Sequence, residues 1–188
     1  DGSGGWEVVK NLRVGRTNLT YCSVDVQWNP SSHLEHLVAT AATNGAIAIW
    51  NVNTEAKKQE RVIKEHNRTV NRISWNPHDC NVLLSASQDG TVKRFDLRDS
   101  SKAGQMCYQN AKCEVRDVQF HPFYENYFAA AYDNGSIQLW DARNAGRESL
   151  RQISAGHQGL VLAIAWHPKR RSVIASAGRD RLVKVWDL

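Results

Sequence analysis

The chain has 188 residues, with 24 Lys and Arg against 19 Asp and Glu, a net charge of +5. Hydrophobic residues make up 41% and charged residues 23%, which excludes a disordered chain, and no apolar run is long enough to span a bilayer. The basic residues are scattered, and only Lys169-Arg170-Arg171 forms a run, so nucleic acid is not expected as a partner.

The four prolines all end one phrase. The copies are Val24-Asp-Val-Gln-Trp-Asn-Pro30, Asn71-Arg-Ile-Ser-Trp-Asn-Pro77, Arg116-Asp-Val-Gln-Phe-His-Pro122 and Leu162-Ala-Ile-Ala-Trp-His-Pro168. The prolines lie 47, 45 and 46 residues apart. A second phrase keeps step: Trp50-Asn51, Phe95-Asp96, Trp140-Asp141 and Trp186-Asp187, at spacings of 45, 45 and 46. Two anchors agreeing over four copies define a repeat.

In chain order, residues 1–22 are a lead-in: a polar Asp1–Gly5, then an outer strand over Glu7–Leu12. The first unit, near 23–64, opens with a strand that alternates Val26 with Trp28 and stops at Pro30, which cannot donate to a ladder. Small apolar residues over Leu37–Ala42 read as a strand buried on both faces. Asn44-Gly45 reads as a two-residue hairpin turn with both residues at positive φ. Ile47–Trp50 is a third strand, and 57–64 a polar outer one. The second unit, near 65–110, repeats this with Val82–Ser87, Asp89-Gly90, Val92–Phe95 and 103–109. The third, near 111–155, has Tyr127–Ala131, Asn134-Gly135, Ile137–Trp140 and 147–154. The fourth, near 156–188, has Val173–Ala177, Asp180-Arg181 and Val183–Trp186, with no outer strand in sight. No stretch has a helical period. Cys22, Cys80, Cys107 and Cys113 form no C-x-x-C pair, and free thiols in a reducing compartment are expected, with a Cys107–Cys113 pair as the alternative.

Four antiparallel strands in about 45 residues, closing on Trp-Asp, describe a β-propeller blade, and the fold class is all-β. The chain resembles WD-repeat proteins over almost its whole length. The resemblance implies a hydrogen-bonded set in each blade: a His before the first strand, Ser or Thr on the second, Asp in the hairpin, and the Trp. The fourth unit has all of these in His157, Ser176, Asp180 and Trp186. The second has His66, Ser85 and Asp89, with Phe95 in place of the indole. The first keeps Thr40 and Trp50, and the third keeps only Trp140, with Ala130 at the Ser position. His, Ser and Asp are also the members of a hydrolytic triad. We read them as structural, because the same types recur at blade spacing and no G-x-S-x-G elbow is present. No enzyme activity, cofactor, metal or small-molecule substrate is expected.

Further stretches carry a narrower resemblance: Asn11-Leu-Arg-Val-Gly-Arg16, Ala39-Thr-Ala-Ala-Thr-Asn-Gly45, Val115-Arg-Asp-Val-Gln-Phe120 followed by Asn134-Gly-Ser-Ile-Gln-Leu-Trp-Asp141, and Gly178-Arg-Asp-Arg-Leu-Val-Lys-Val-Trp-Asp187. They are similar to the WD-repeat subunits of GATOR complexes. That implies a protein–protein scaffold in a multi-subunit, nutrient-sensing assembly that positively regulates target-of-rapamycin signalling. It further implies an intracellular, cytoplasmic location, peripheral at lysosome or vacuole, without membrane insertion. Such subunits also carry a zinc-binding RING-like region, to which these residues contribute no Cys/His cluster. The alternative is a substrate receptor of a cullin-type ubiquitin ligase, on the W-D-x-R-like phrases Phe95-Asp-Leu-Arg98 and Trp140-Asp-Ala-Arg143. Candidate partner contacts are Arg98, Arg143, Arg68, Arg116 and Arg179, with Thr43, Gln88, Tyr124 and Tyr127 beside them. WD-repeat propellers usually close with seven blades, so four units in 188 residues suggest an open part of a larger ring.

Overall fold

The computed structural model describes residues 8, 10–12, 21–54, 58–99, 105–109, 113–146 and 148–188. Every regular element among them is a β-strand. Blade one comprises β1 (Ser23–Trp28), β2 (Leu37–Ala42), β3 (Ala46–Asn51) and β4 (Gln59–Lys64). Blade two comprises β5 (Val70–Trp75), β6 (Val82–Ser87), β7 (Val92–Asp96) and β8 (Met106–Tyr108). Blade three comprises β9 (Val115–Phe120), β10 (Tyr127–Tyr132), β11 (Ile137–Asp141) and β12 (Arg151–Ile153). Blade four comprises β13 (Val161–Trp166), β14 (Val173–Gly178) and β15 (Val183–Asp187). Each sheet is an antiparallel meander in chain order, and blade four has three strands among the described residues.

The inner strands β1, β5, β9 and β13 stand side by side in sequence order, so the blades fan around one axis. The core lies between the blades. Leu37, Ile47 and Ile49 of blade one meet Ile73, Trp75 and Leu83 of blade two. Leu84 and Val92 of blade two meet Val118, Phe128 and Trp140 of blade three. Ala129 and Ile137 of blade three meet Ile164 and Ile174 of blade four. The small second strands are buried on both faces in blades one to three, as close stacking of twisted sheets requires.

The hairpin between second and third strands differs from the expected two-residue turn. Only its last residue has positive φ: Gly45, Gly90, Gly135 and, in blade four, Arg181 at 67°. The loops hold three residues, closed by bonds such as Ser87 N–H to Thr91 C=O, with Gly90 N–H donating to Ser87 C=O. This is an ordinary turn followed by one left-handed residue, a route to a hairpin that the same Asn-Gly or Asp-Gly dipeptide supports. Glycine is required at 45 and 135 for a second reason: a Cβ there would collide with the backbone carbonyls of His66 and His157 in the following blade.

The expected strand over Glu7–Leu12 is not formed at its described residues 8 and 10–12. Glu7 and Val9, the tail Asp1–Gly5 and the starts of three predicted outer strands (57, 103, 104 and 147) lie outside the described residues. Lys10 Nζ donates to Val52 C=O at 2.6 Å, and Leu12 packs on Val38, Ala48 and Trp50. These contacts hold the segment by side chains against blade one rather than in a ladder. The third-blade outer edge is instead tied to its neighbour: Gln109 N–H donates to Gly146 C=O and Gly146 N–H to Cys107 C=O.

Candidate interaction surface

The blade interiors account for the His, Ser and Asp residues. In blade four the Trp186 Nε1–H donates to Ser176 Oγ at 2.8 Å. Ser176 Oγ lies 2.7 Å from His157 Nε2, and His157 Nδ1 lies 2.9 Å from Asp180 Oδ1. With the indole donating in, the hydroxyl donates on to Nε2, and Nδ1–H donates to the carboxylate. Blade two repeats this with His66 Nε2 to Ser85 Oγ at 2.6 Å and Nδ1 to Asp89 Oδ2 at 2.8 Å. Thr91 Oγ1 adds a donor to Asp89 at 2.6 Å, while Phe95 leaves Ser85 without an indole. Burial pushes the Asp89 carboxyl up, but the bonds from His66 and Thr91 outweigh it and hold the group well below the usual range. Burial also acts on Asp180, where His157 and the Gln158 and Leu182 amides bring it to about 2. Ser85, Ser176, His66 and His157 are all buried. The triad-like hydroxyls therefore face sheet, not solvent, and serve as hubs of a satisfied network.

The two blades without a histidine are filled differently. In blade one, Trp50 Nε1–H donates to Thr40 Oγ1 at 2.9 Å, and Tyr21 packs on Ala42 and Ala46. In blade three, Tyr132 is fully buried at the place Gly178 holds in blade four. A Cβ at 178 would strike the His157 ring as it sits in blade four, whereas blade two seats His66 beside Ser87 at the same place. Tyr132 fills that space in blade three, where the histidine is missing. Its hydroxyl and the Trp140 indole are both buried without a hydrogen-bond partner among the described residues. Burial pushes the Tyr132 hydroxyl up, with Trp140 close enough to moderate the shift but short of hydrogen-bond geometry.

A second set runs from blade to blade. Asp25, Arg72 and Asp117 hold the same place on three successive inner strands. Asp25 Oδ2 accepts the Ile73 amide at 2.9 Å and Asp117 Oδ2 the Ile164 amide at 2.8 Å. Arg72 spans the two carboxylates, 3.4 Å from Asp25 and 3.2 Å from Asp117. The inner-strand tryptophans point backward: Trp75 donates to Gln27 C=O and Trp166 to Gln119 C=O, each at 3.3 Å. Where Phe120 replaces Trp, its amide donates to Ser74 Oγ at 3.1 Å. Proximity between residues 45 to 48 apart made this set invisible to local pattern reading, although the aligned phrases show Asp, Arg and Asp in register.

The candidate contact residues divide between two faces. The hairpin face carries Thr43, Arg68, Gln88, Arg116 and Arg179. Arg68 donates to Gln88 C=O at 2.8 Å and pairs with Glu114 at 2.7 Å, and Arg116 reaches the same carboxylate at 2.6 Å. Arg179 is exposed. The opposite face carries Arg98, Arg143, Tyr124 and Tyr127. Arg98 forks onto Asp96 at 2.6 Å and Asp79 at 2.7 Å, and Arg143 onto Asp141 at 2.6 Å. Both guanidiniums remain more than half exposed, at 57% and 63%. Among the described residues no group of three or more His, Cys, Asp or Glu side chains could hold a metal ion. Among the described residues no helix is long and apolar enough to cross a membrane.

The family profile described as "WD domain, G-beta repeat" matches residues 57–96, 105–141 and 148–187. The chain belongs to the WD-repeat family. Among relatives of this WD-repeat chain, the GATOR2 complex protein WDR24 of Danio rerio is 44% identical over 180 residues, covering 95% of the chain and 22% of that protein. The Homo sapiens protein of that name is 42% identical over the same length, again 95% and 22%. The Dictyostelium discoideum one is 46% identical over 186 residues, 97% and 18%. The chain thus spans about a fifth of the length of these relatives. A solved chain from the "Crystal Structure of Mitotic Checkpoint Complex" superposes with a TM-score of 0.76 at 24% identity, covering 91% of this chain and 49% of that one, which shows the fold.

Proposed function

We propose that this WD-repeat segment is a non-enzymatic scaffold of a GATOR2-type complex. The carrying observation is its 42–46% identity, over nearly the whole segment, to proteins named as GATOR2 subunits. Rigid blades that present short loops on two faces suit this role, since little entropy is lost when partners dock. The buried state of both Ser–His–Asp sets supports a structural rather than hydrolytic use. In this reading the protein acts peripherally at the lysosome or vacuole and promotes target-of-rapamycin signalling. Arg68, Arg116 and Arg179 on the hairpin face supply partner contacts. Purification of the intact polypeptide from cells should bring down GATOR2-type subunits. Its loss should blunt amino-acid-stimulated phosphorylation of target-of-rapamycin substrates. Failure of both would discard the reading.

The segment is read further as an open arc of a larger ring. Val24, Val26 and Trp28 are 45–62% exposed on blade one, and Val183 and Val185 are 77% and 70% exposed on blade four. Trp28 holds the place of Trp75 and Trp166, whose indoles bond the preceding blade. Both outer sheet faces thus have the chemistry of inner junctions.

A second reading, a cullin-ligase substrate receptor, is favoured by the paired exposure of Arg98 and Arg143 on one face. Co-purification of a cullin adaptor, lost on Arg98→Ala with Arg143→Ala, would support it. Intact binding in that variant would dismiss it.

A further inference from the structure

The junction of blades three and four carries a cavity of about 340 Å³ on the face away from the hairpins. Its walls include Tyr124, Tyr127, Trp166 and Leu139, and Arg151 and Arg171 stand at it. The aromatic wall is built around one buried ring. His121 lies 4.4 Å from Trp166 and 4.7 Å from Tyr124 between centroids, and Tyr124 is 5.8 Å from Tyr127. The histidine is fixed on both nitrogens. Nδ1 accepts the amides of Phe123 and Tyr124 at 3.0 and 3.1 Å, and Nε2–H donates to Arg171 C=O at 2.8 Å. Asn29 and Asn76 make the equivalent inter-blade bond at the other two junctions, to Cys80 and Glu125 carbonyls. Only at this junction, among the described residues, does an aromatic ladder replace the amide.

Positive charge predominates around the cavity. Arg171 lies over the Phe123 and Tyr124 rings, 5.8 Å from each centroid. Neither it nor Arg151 has a carboxylate partner among the described residues. Lys169 and Arg170 are exposed beside Arg171. Nearby carboxylates are engaged elsewhere, Asp141 with Arg143 and Asp187 with the Ser172 hydroxyl at 2.5 Å, while Glu125 is exposed in the neighbouring loop. Arginine prefers to complete itself with carboxylates in a fork, and an exposed aromatic prefers an apolar or aromatic side chain.

We infer that this cavity is a docking site for an acidic peptide segment that inserts one aromatic or large apolar side chain against Tyr124, Tyr127 and Trp166. Flanking carboxylates pair with Arg151 and Arg171. The inference rests on the scaffold reading only in requiring a protein partner, and it assigns that partner's chemistry and the place it binds.

The test uses the intact polypeptide and a fluorescein-labelled octapeptide of aspartates and glutamates around one central phenylalanine. Saturable binding is expected, weakened about tenfold by Arg151→Glu with Arg171→Glu and by Tyr124→Ala. Tyr124→Phe should bind as the parent does, and Lys64→Glu on β4 should change nothing. Replacing the peptide's phenylalanine by glycine should cost a similar factor. Thermal unfolding of each variant checks that the blades persist. If the double variant unfolds, the peptide's affinity for the parent protein should still fall as salt rises. Equal binding of the glycine peptide, or unchanged affinity in the folded double variant, overturns the site. So does tighter binding of phosphatidylserine vesicles or of a single-stranded oligonucleotide than of the peptide. Complex assembly is scored on the same variants. Assembly intact with no peptide binding sinks this inference alone, whereas parent protein that never assembles sinks the scaffold reading.

Discussion

At the scale of the residue, blades three and four show one space filled in two ways. Ser176 in blade four is a hub that both receives the Trp186 indole and feeds His157. Ser176→Ala strands both partners in a buried site and should cost about 1–3 kcal/mol, read from denaturant midpoints. Tyr132 in blade three is the opposite case, since its buried hydroxyl has no partner among the described residues. Tyr132→Phe should leave stability unchanged or raise it slightly, and a loss above about 1 kcal/mol would mean the hydroxyl is bonded after all. The Asp89 and Asp180 carboxyls, depressed by their histidines, also set an acid limit. Their ordinary unfolded value is about 3.9, so their contribution is complete above that and fades as pH falls towards their lower folded values. Asp89→Asn and Asp180→Asn should therefore flatten the dependence of unfolding midpoint on pH between about 4 and 2. An unchanged slope would remove these groups from the acid response.

At the scale of the element, strands were legible because two phrases fixed every blade. Leu37–Ala42 and Val82–Ser87 are found as read, and most other strands agree within a residue or two. The hairpins were misread because Asn-Gly serves both a two-residue turn and a three-residue loop, and only the backbone distinguishes them. The lead-in differs from the expected strand because strand-favouring residues such as Val8 and Val9 say nothing about whether a ladder partner is at hand. Four of the five candidate arginines are exposed and Arg116 is half-buried, but their division between two faces, and the internal carboxylates that hold four of them, follow from register alone. The inner strands supply the test at this scale. Arg72 separates Asp25 and Asp117, whose side chains are 8% and 1% exposed. Arg72→Met leaves two carboxylates facing each other across three blades. A loss of about 1–3 kcal/mol is expected, below that for a fully buried pair because the arginine is 40% exposed. Adding Asp25→Asn should recover part of it, and no recovery would mean that the arginine acts through packing.

At the scale of the whole molecule, stability is close to a sum over neighbouring blades, as each core cluster is shared by two sheets only. If further blades cover blade one, Trp28→Lys should destabilise the intact polypeptide by about 2 kcal/mol or more and leave the isolated 188-residue segment unaffected. Equal effects on both would mean that the tryptophan is solvent-facing by design. The exchange between glycine and tyrosine at the end of the second strand has a consequence for how such a chain diverges. A blade with His157 tolerates no tyrosine at position 178, and a blade with Tyr132 has no room for a histidine. Blade two, which seats His66 beside Ser87 at the same place, and blade one, with Ala42 there, show that small side chains fit between the two extremes. A repeated blade can therefore trade its buried polar network for an aromatic filler through a small residue, without either partner being lost from a crowded site at one step.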